Sequence, residues 1–193
     1  MSFTPASQTK IPEGKAVTFW SRFIATGAFV GYIPWASGTF GTLVGLLIYL
    51  IPGMENPALL FVVIFVGLAS GVYTSAKVAP VEGHRLTKTA ERAKAMFQHG
   101  THSTPDPSII VIDEIVGIWI ALLFIPKTLA AIVICFILFR LFDIIKPYPA
   151  KQLEHIPNGW GIMLDDVVAG IYANIATQVL YRLLMSLGFT PYL

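Results

Sequence analysis

Long apolar runs separated by short polar stretches make up most of the chain. A run broken by Pro126-Lys127 predicts two helices joined by a loop. A simple span needs about 20 apolar residues, so the shorter runs favour tilted or re-entrant helices. The pattern as a whole predicts an all-α integral membrane helical bundle with four to five hydrophobic segments. The apolar runs cover residues 38–51, 58–76, 109–139 (the broken one) and 167–187.

The remaining stretches are assigned from their polar residues. Residues 1–21 lack the apolar stretch of a signal peptide, so we expect a flexible N-terminal tail. Pro34 and two glycines leave the assignment of residues 22–35 open, with a helix lying on the membrane surface as one interpretation. Residues 77–108 predict a long loop that includes the basic amphipathic stretch LTKTAERAKAMFQ. We interpret residues 1–193 as a single membrane domain.

Composition supports a membrane location and excludes several classes of protein. The chain is 55% hydrophobic and 12% charged, with a mean hydropathy of +0.70, whereas soluble domains carry about 25% charged residues. A net charge of +2 is too small to indicate a nucleic-acid partner. The single cysteine, Cys135, lies inside an apolar run, so no intrachain disulfide can form.

The distribution of charge predicts a topology. With the N-terminus in the cytoplasm and five crossings, only Lys127 and Arg182 of thirteen basic residues lie outside. Of eleven acidic residues, only Glu55 then lies outside. Segment ends tolerate charge in any membrane protein, so this location alone does not establish a site. The carboxylates that collect at the cytoplasmic ends of the segments are Asp113, Glu114, Asp143, Asp165 and Asp166.

A repeated spacing suggests that two of these carboxylates meet. Asp113 precedes Gly117 by four residues, and Asp166 precedes Gly170 by four. In a helix this places the carboxylate one turn from the glycine on the same face, where glycine lets a second helix approach closely. Carboxylates that meet in this way need a cation, and oxygen-only ligands favour Mg²⁺. Helix capping would explain one aspartate, but it does not explain the pair formed with Asp165.

Basic residues and a glycine turn add the features of a phosphate site. In FRLFDIIKPYP, Arg140 and Lys146 each lie one turn from Asp143. Both could clamp a phosphate, although a local Arg140–Asp143 ion pair explains the spacing equally well. The turn SGTFGTLVG begins an apolar helix whose first N–H groups favour an anion; a plain membrane-helix start is the simpler explanation. Together these features indicate a site for a phosphorylated lipid head group.

Four stretches between residues 31 and 170 resemble the phosphatidylglycerophosphatase A family. The resemblance implies a helical, Mg²⁺-dependent enzyme that hydrolyses phosphatidylglycerophosphate to phosphatidylglycerol and inorganic phosphate. Ser37 and Thr42 depart mildly from the family pattern. The resembling stretches are GYIPWASGTFGTLVG (31–45), DPSIIVIDEIVG (106–117), FRLFDIIKPYP (139–149) and GWGIMLDDVVAG (159–170).

Position by position, the resemblance implies the roles of the site residues. It also implies a multi-pass protein of the bacterial inner membrane with its site facing the cytoplasm, a phospholipid substrate and no protein partner. Direct attack by water and an aspartyl-phosphate intermediate both stay open. The implied catalytic residues are Asp113, Glu114, Asp143, Asp165 and Asp166. Metal binding is implied for Asp113, Glu114, Asp143 and Asp166. Substrate binding is implied for Arg140, Lys146, Gly38, Thr39 and Gly41.

Other chemistries fit the sequence less well. The spacing Cys135-x4-Arg140 is one residue short of a cysteine-phosphatase loop, and no D-x-D-x-T/V motif occurs. The histidines lack the sequence context of histidine lipid phosphatases. A CDP-dependent head-group transferase groups its aspartates on one helix, whereas here they lie on three segments. An ion transporter would carry its carboxylates near mid-membrane. A phosphate-release assay distinguishes all of these alternatives.

Overall fold

The computed structural model describes residues 17–83 and 109–188, which contain seven α-helices and no strand. The all-α prediction is confirmed for these residues. A 3-10 turn, Val30–Tyr32, follows the first helix, and a π turn, Ala79–Gly83, follows the third. The helices are α1 (Phe19–Ala25), α2 (Ser37–Tyr49), α3 (Pro57–Val78), α4 (Ile112–Ala121), α5 (Leu129–Ile145), α6 (Ala150–Leu153) and α7 (Trp160–Ser186).

The short helix α4 is the centre of the bundle. It packs against α2, α3, α5 and α7, and most of its residues are buried, including Val116 and Ile118. Trp119 donates its indole N–H to the carbonyl of Gly45 in α2 at 2.9 Å. Ten residues extend about 15 Å, which is half the hydrocarbon thickness of a bilayer. α4 is therefore a buried core helix that is shorter than a simple span.

Polar residues of α7 complete the hydrogen bonds at the end of α4. Asn174 donates its side-chain amide to the carbonyls of Ala121 and Leu123, at 2.9 and 2.6 Å. Gln178 in turn donates to the Asn174 side-chain oxygen at 2.8 Å. The last carbonyls of a helix have no partner inside the helix. The polar residues that weaken the apolar pattern of the last segment thus cap a neighbouring helix.

The loop between α2 and α3 meets the loop between α4 and α5 at one end of the bundle, which we call the far end. The Lys127 ammonium lies 2.9 Å from a Glu55 carboxylate oxygen and also donates to the carbonyls of Leu50 and Ile51. The hydrogen bond from Lys127 lowers the pKa of Glu55. α4 begins at the opposite end and α5 returns to it, so Asp113 and Asp143 both lie there. We call this the acidic end.

Two helices have the length and apolar composition needed to cross a membrane. They extend over Pro57–Val81 and Trp160–Ser186, and large apolar side chains such as Phe65 (73% exposed) cover their outer faces. These helices indicate membrane association, while α2 and α4 are shorter than a span. The number of four to five segments stays a prediction, because a helix buried in protein, like α4, is as apolar as one in lipid.

The N-terminal region differs from its predicted form. α1 begins at Phe19, inside the predicted tail of residues 1–21, and the Thr18 side chain caps it by accepting the Ser21 N–H at 3.3 Å. The surface helix predicted for residues 22–35 is divided into α1 and the 3-10 turn. Residues 1–16 and the amphipathic stretch of the 77–108 loop lie outside the described residues.

Candidate active site

The helices α4 and α7 cross in near contact at a pair of glycines. A Cβ atom on Gly170 would lie 2.5 Å from the Gly117 carbonyl oxygen. A Cβ atom on Gly117 would lie 2.6 Å from the Phe139 ring and 3.1 Å from the Asp166 carbonyl oxygen. Only glycine allows backbones to approach this closely. The crossing sets Asp113 and Asp166, each one turn away, on facing surfaces.

Three carboxylates converge beside this crossing. Asp113, Glu114 and Asp166 each offer an oxygen, and these oxygens all lie within 4.8 Å of one another. Asp166 is buried, whereas Asp113 and Glu114 are partly exposed. Like charges at this distance repel strongly where water is scarce. We call these three residues the carboxylate cluster.

The carboxylate cluster fits a hard cation. The Glu114 Oε2 atom is buried and has no hydrogen-bond partner among the described residues, and such an orphaned acceptor is costly. The Asp113 carboxylate already accepts the Glu114 backbone N–H at 3.1 Å. All donors are carboxylate oxygens, the ligand type that Mg²⁺ prefers. A divalent cation would both satisfy Glu114 and offset the repulsion.

Asp143, the fourth predicted metal ligand, adjoins the cluster and pairs with a base. Its Oδ2 atom lies 2.6 Å from the Arg140 Nη1 atom, and the carboxyl group interacts with Asp166. It is not among the three residues whose oxygens converge within 4.8 Å. The Arg140–Asp143 ion pair that the sequence left as an alternative is therefore present, beside the cluster.

Arg140 also reaches the first turn of α2. Its Nη1 atom lies 3.4 Å from the Thr42 hydroxyl, which donates to the Gly38 carbonyl at 2.8 Å. A Cβ atom on Gly38 would lie 3.1 Å from both terminal nitrogens of Arg140 and 2.3 Å from Glu114 Oε1. Any larger residue at position 38 would clash with the Arg140 and Glu114 side chains. The glycine turn is brought to the cluster, as its sequence suggested.

The other two residues of the glycine turn differ in position. Gly41 is buried, and a Cβ atom there would lie 2.6 Å from the Val111 side chain, so Gly41 packs against the residues that lead into α4. Thr39 lies in the first turn of α2 and is partly exposed. Thr42, which the sequence did not single out, contacts Arg140. Its position one turn after Gly38 is the signal that could have identified it.

Lys146 is held by two carboxylates. It ends α5 in a left-handed conformation (φ 48°), and its ammonium lies 2.8 Å from Asp165 Oδ2 and 3.4 Å from Glu154 Oε1. Burial acts to lower the pKa of Lys146, but the hydrogen bond and charge of Asp165, with those of Glu154, raise it overall. Nothing in the sequence spacing indicated the contact with Glu154.

The adjacent aspartates of α7 therefore have separate partners. Asp165 faces Lys146 and accepts the Asp166 backbone N–H at 3.0 Å, while Asp166 faces the carboxylate cluster. Neither aspartate caps the helix, because α7 begins at Trp160 with Gly159 as its N-terminal neighbour. Capping, the simpler explanation for a single aspartate, thus does not account for the pair.

Comparison with known proteins identifies relatives over most of the chain. The sequence profile of the family described as Phosphatidylglycerophosphatase A matches residues 90–181. Phosphatidylglycerophosphatase A of Haemophilus influenzae is 36% identical over 156 residues, 80% of this chain and 84% of the relative. The Escherichia coli protein of the same name is 29% identical over 83% of this chain and 81% of its own.

A relative with a different name covers a similar share of the chain. A Bacteroides thetaiotaomicron protein named "Putative phosphatidylinositol-3-phosphatase" is 33% identical over 168 residues, 86% of this chain and 96% of the relative. No solved structure matches the chain significantly. The relatives thus share a phosphatase name and differ in the lipid that the name specifies.

Proposed function

Because the chain belongs to the phosphatidylglycerophosphatase A family and is a phosphatase, we propose that it hydrolyses phosphatidylglycerophosphate to phosphatidylglycerol and inorganic phosphate. The observation that carries this proposal is the carboxylate cluster, with its orphaned Glu114 oxygen, beside Arg140 and the first turn of α2. Carboxylates for a cation and a guanidinium for an anion are together the elements of a phosphate-ester site.

We propose Mg²⁺ as the cation. Asp113, Glu114 and Asp166 would hold it, and Asp143, whose charge acts on Asp166, is proposed as a further ligand. Bound there, Mg²⁺ supplies charge neutralisation of the phosphate and a water of lowered pKa. The chain itself fixes the three carboxylates through the glycine crossing of α4 and α7, before any substrate arrives.

Arg140 is proposed to bind the phosphate oxygens. Asp143 and Thr42 hold the guanidinium from two sides, which reduces the conformational entropy lost when phosphate binds. Gly38 lets the first turn of α2 approach both terminal nitrogens closely, and Thr39 and Gly41 complete the turn. α2 begins at Ser37, next to Gly38 and Arg140, and the N–H groups at a helix start favour an anion.

Lys146 and Asp165 are proposed to position the site. Their ion pair joins the end of α5, which carries Arg140 and Asp143, to the start of α7, which carries Asp166. Asp165 also accepts the Asp166 backbone N–H. The ion pair therefore fixes the position of Arg140 on α5 relative to Asp166 on α7. Because two carboxylates already neutralise it, Lys146 contributes less charge to the phosphate than the sequence suggested.

The proposed location is the bacterial inner membrane, with several crossings and the acidic end in the cytoplasm. Two apolar helices support membrane association. Lys127 lies at the far end, whereas Arg140, Lys146 and Lys151 lie at the acidic end. Cytoplasmic loops carry the excess of basic residues.

The first test is the activity of the purified full-length chain on defined lipids. We expect phosphate release from phosphatidylglycerophosphate that requires Mg²⁺ and stops when the metal is chelated. Phosphatidylinositol 3-phosphate, the lipid in the name of the Bacteroides relative, serves as the competing substrate in the same assay. A higher kcat/KM on the inositol lipid would replace the proposed substrate, and no release from either would reject the function.

Topology is tested by single cysteines. Cys135 is fully buried, so an introduced cysteine is the one that an impermeant thiol reagent reaches. In intact cells we expect labelling at Asn56→Cys, in the far-end loop, and none at Lys151→Cys until the membrane is opened. Labelling of Lys151→Cys from outside would reverse the orientation and contradict the cytoplasmic site.

The phosphate role of Arg140 is tested by Arg140→Lys. An ammonium cannot reproduce the two-pronged contact of a guanidinium, so we expect turnover to fall by about 10- to 100-fold, at or below the cost of losing one oxyanion donor. Inhibition by vanadate should weaken in parallel. Arg182→Lys is the matched control, since Arg182 lies about four turns beyond Asp166 on α7 and donates to the Gln178 side-chain oxygen at 3.5 Å. Unchanged turnover and unchanged inhibition in Arg140→Lys would leave Arg140 as a structural partner of Asp143.

A further inference from the structure

Five aromatic rings form one exposed cluster on α1 and the turn that follows it. Neighbouring ring centroids lie 5.6 to 6.2 Å apart, in stacked and edge-on arrangements. Trp20 is 68% exposed and Phe19 59% exposed. Single exposed apolar residues are ordinary, but a continuous patch indicates a binding surface. We call this the N-terminal aromatic cluster; it consists of Phe19, Trp20, Phe23, Phe29 and Tyr32.

The backbone that carries the N-terminal aromatic cluster contacts the residues that lead into α4. The Val111 backbone N–H donates to the Ala25 carbonyl at the end of α1, at 2.9 Å. A Cβ atom on Gly31 would lie 1.9 Å from the Ile109 carbonyl oxygen. Residues 109–111 lead straight into α4, where Asp113 is the second residue. The backbone below the aromatic cluster is therefore held at a fixed position relative to the carboxylate cluster.

Further exposed aromatic residues surround the same end of the bundle. Trp35 precedes α2, Tyr148 follows α5 and Trp160 begins α7, and they are 81%, 77% and 47% exposed. At the end of α3 the Lys77 ammonium lies over the Tyr73 ring, 3.8 Å from its centroid. Tryptophan and tyrosine interleaved with basic residues are typical of the level at which a membrane meets water.

The surface next to the cluster is also apolar. α1 packs against α3, whose outward side chains include Phe61, Phe65 and Val66, exposed by 50%, 73% and 58%. This face has the composition of a lipid-facing helix, and α1, which carries three rings of the N-terminal aromatic cluster, packs on the same helix. A surface that passes from apolar to aromatic and basic matches the change from acyl chains to head groups in one leaflet.

We propose that the N-terminal aromatic cluster docks into the head-group layer of the leaflet on the acidic side and sets the depth of the carboxylate cluster there. The aromatic rings occupy the boundary between acyl chains and head groups, so Asp113 and its neighbours lie at the level of lipid phosphates. A substrate could then reach the site by lateral diffusion with its acyl chains still in the bilayer. That last consequence rests on the proposed function, whereas the docking surface does not.

Depth in the membrane is measured with spin labels on the full-length chain in lipid vesicles. Three variants carry one label each: Trp20→Cys in the aromatic cluster, Phe65→Cys near the middle of α3 and Gln152→Cys on the exposed helix α6. Oxygen relaxes a label in the hydrocarbon, and a nickel chelate relaxes one in water. We expect the Trp20 position to give a ratio of oxygen to nickel accessibility between those of the other two.

Three results would overturn the docking surface, and each identifies another environment. Accessibility at Trp20 equal to that at Gln152 would place the cluster in water. Dipolar broadening between Trp20 labels would show that a second copy of the chain covers the cluster. Protection from both reagents without broadening would show another protein partner. None of these outcomes depends on phosphatase activity, so they test the surface apart from the proposed function.

A second measurement tests whether docking serves the reaction. In Trp20→Ser/Phe23→Ser we expect the substrate surface concentration for half-maximal rate in vesicles to rise about tenfold, since two rings leave the apolar boundary. The rate at saturating substrate in detergent micelles should stay unchanged, because neither residue contacts the carboxylate cluster. Trp20→Tyr/Phe23→Tyr should restore the wild-type value, as tyrosine also suits the boundary. An unchanged half-maximal concentration in the serine variant would show that docking of the aromatic cluster does not help the protein to reach its substrate.

Discussion

Replacing Asp166 with asparagine will reduce phosphate release by about 100- to 1000-fold, the range seen when one preorganised charge-stabilising group is lost from a site. Asp166 is buried and contributes one of the three converging oxygens. An amide keeps the shape but removes the charge that holds a divalent cation. Asp113→Asn and Glu114→Gln should behave alike, because each supplies one further oxygen. The Mg²⁺ concentration for half-maximal rate should rise in all three variants.

The control for this prediction is a carboxylate that lies away from the cluster. Glu55→Gln removes an acid at the far end, where it pairs with Lys127 at 2.9 Å, and it should leave turnover unchanged. Both measurements use purified protein and a titration of Mg²⁺. Near wild-type turnover of all three cluster variants at millimolar Mg²⁺ would show that these acids do not bind a catalytic metal.

Gly170→Val is expected to abolish activity without touching a charged residue. A side chain at this position meets the Gly117 carbonyl at 2.5 Å from its first carbon and the Ile120 Cβ atom at 3.1 Å. The backbone carbonyl cannot rotate away as a side chain could, so α4 and α7 must separate. Overpacking of this kind costs about 1–3 kcal/mol of stability. The larger effect should be on turnover, because Asp113 and Asp166 lie on the two helices that move apart.

The matched control adds volume to the opposite face of the same helix. Val179 is 64% exposed, so Val179→Phe should leave both the thermal midpoint in detergent and the turnover close to wild type. Turnover and the Mg²⁺ requirement of Gly170→Val are compared with those of this control. Wild-type turnover in Gly170→Val would show that the close crossing is not needed to assemble the site.

The parts of the site that follow helical periodicity could be predicted from the sequence. The four-residue spacing of Asp113 from Gly117 and of Asp166 from Gly170 indicated a close helix crossing with carboxylates on facing sides, and the structure has this crossing. The spacing works as a signal because period and packing are local properties of a helix. The convergence of the glycine turn on Arg140 also followed from a shared segment end.

Contacts between distant segments could not be predicted in the same way. Lys146 fitted a phosphate clamp as well as an ion pair, and only the folded chain brings Glu154 and Asp165 to it. The central position of α4 was also beyond hydropathy, since four helices surround it. Burial in protein and burial in lipid select the same side chains. Distinguishing them requires the tertiary arrangement.

The capping of α4 by Asn174 has a consequence for how the protein is made. The carbonyls of Ala121 and Leu123 obtain their partner from a residue that is synthesised about 50 positions later, and unsatisfied backbone groups cost several kcal/mol each in lipid. Until α7 has been made, these two carbonyls lack the partner that they have in the folded chain. The three residues of the carboxylate cluster, which lie on these two helices, thus come together only when translation is almost complete, and a chain interrupted before α7 lacks Asp166.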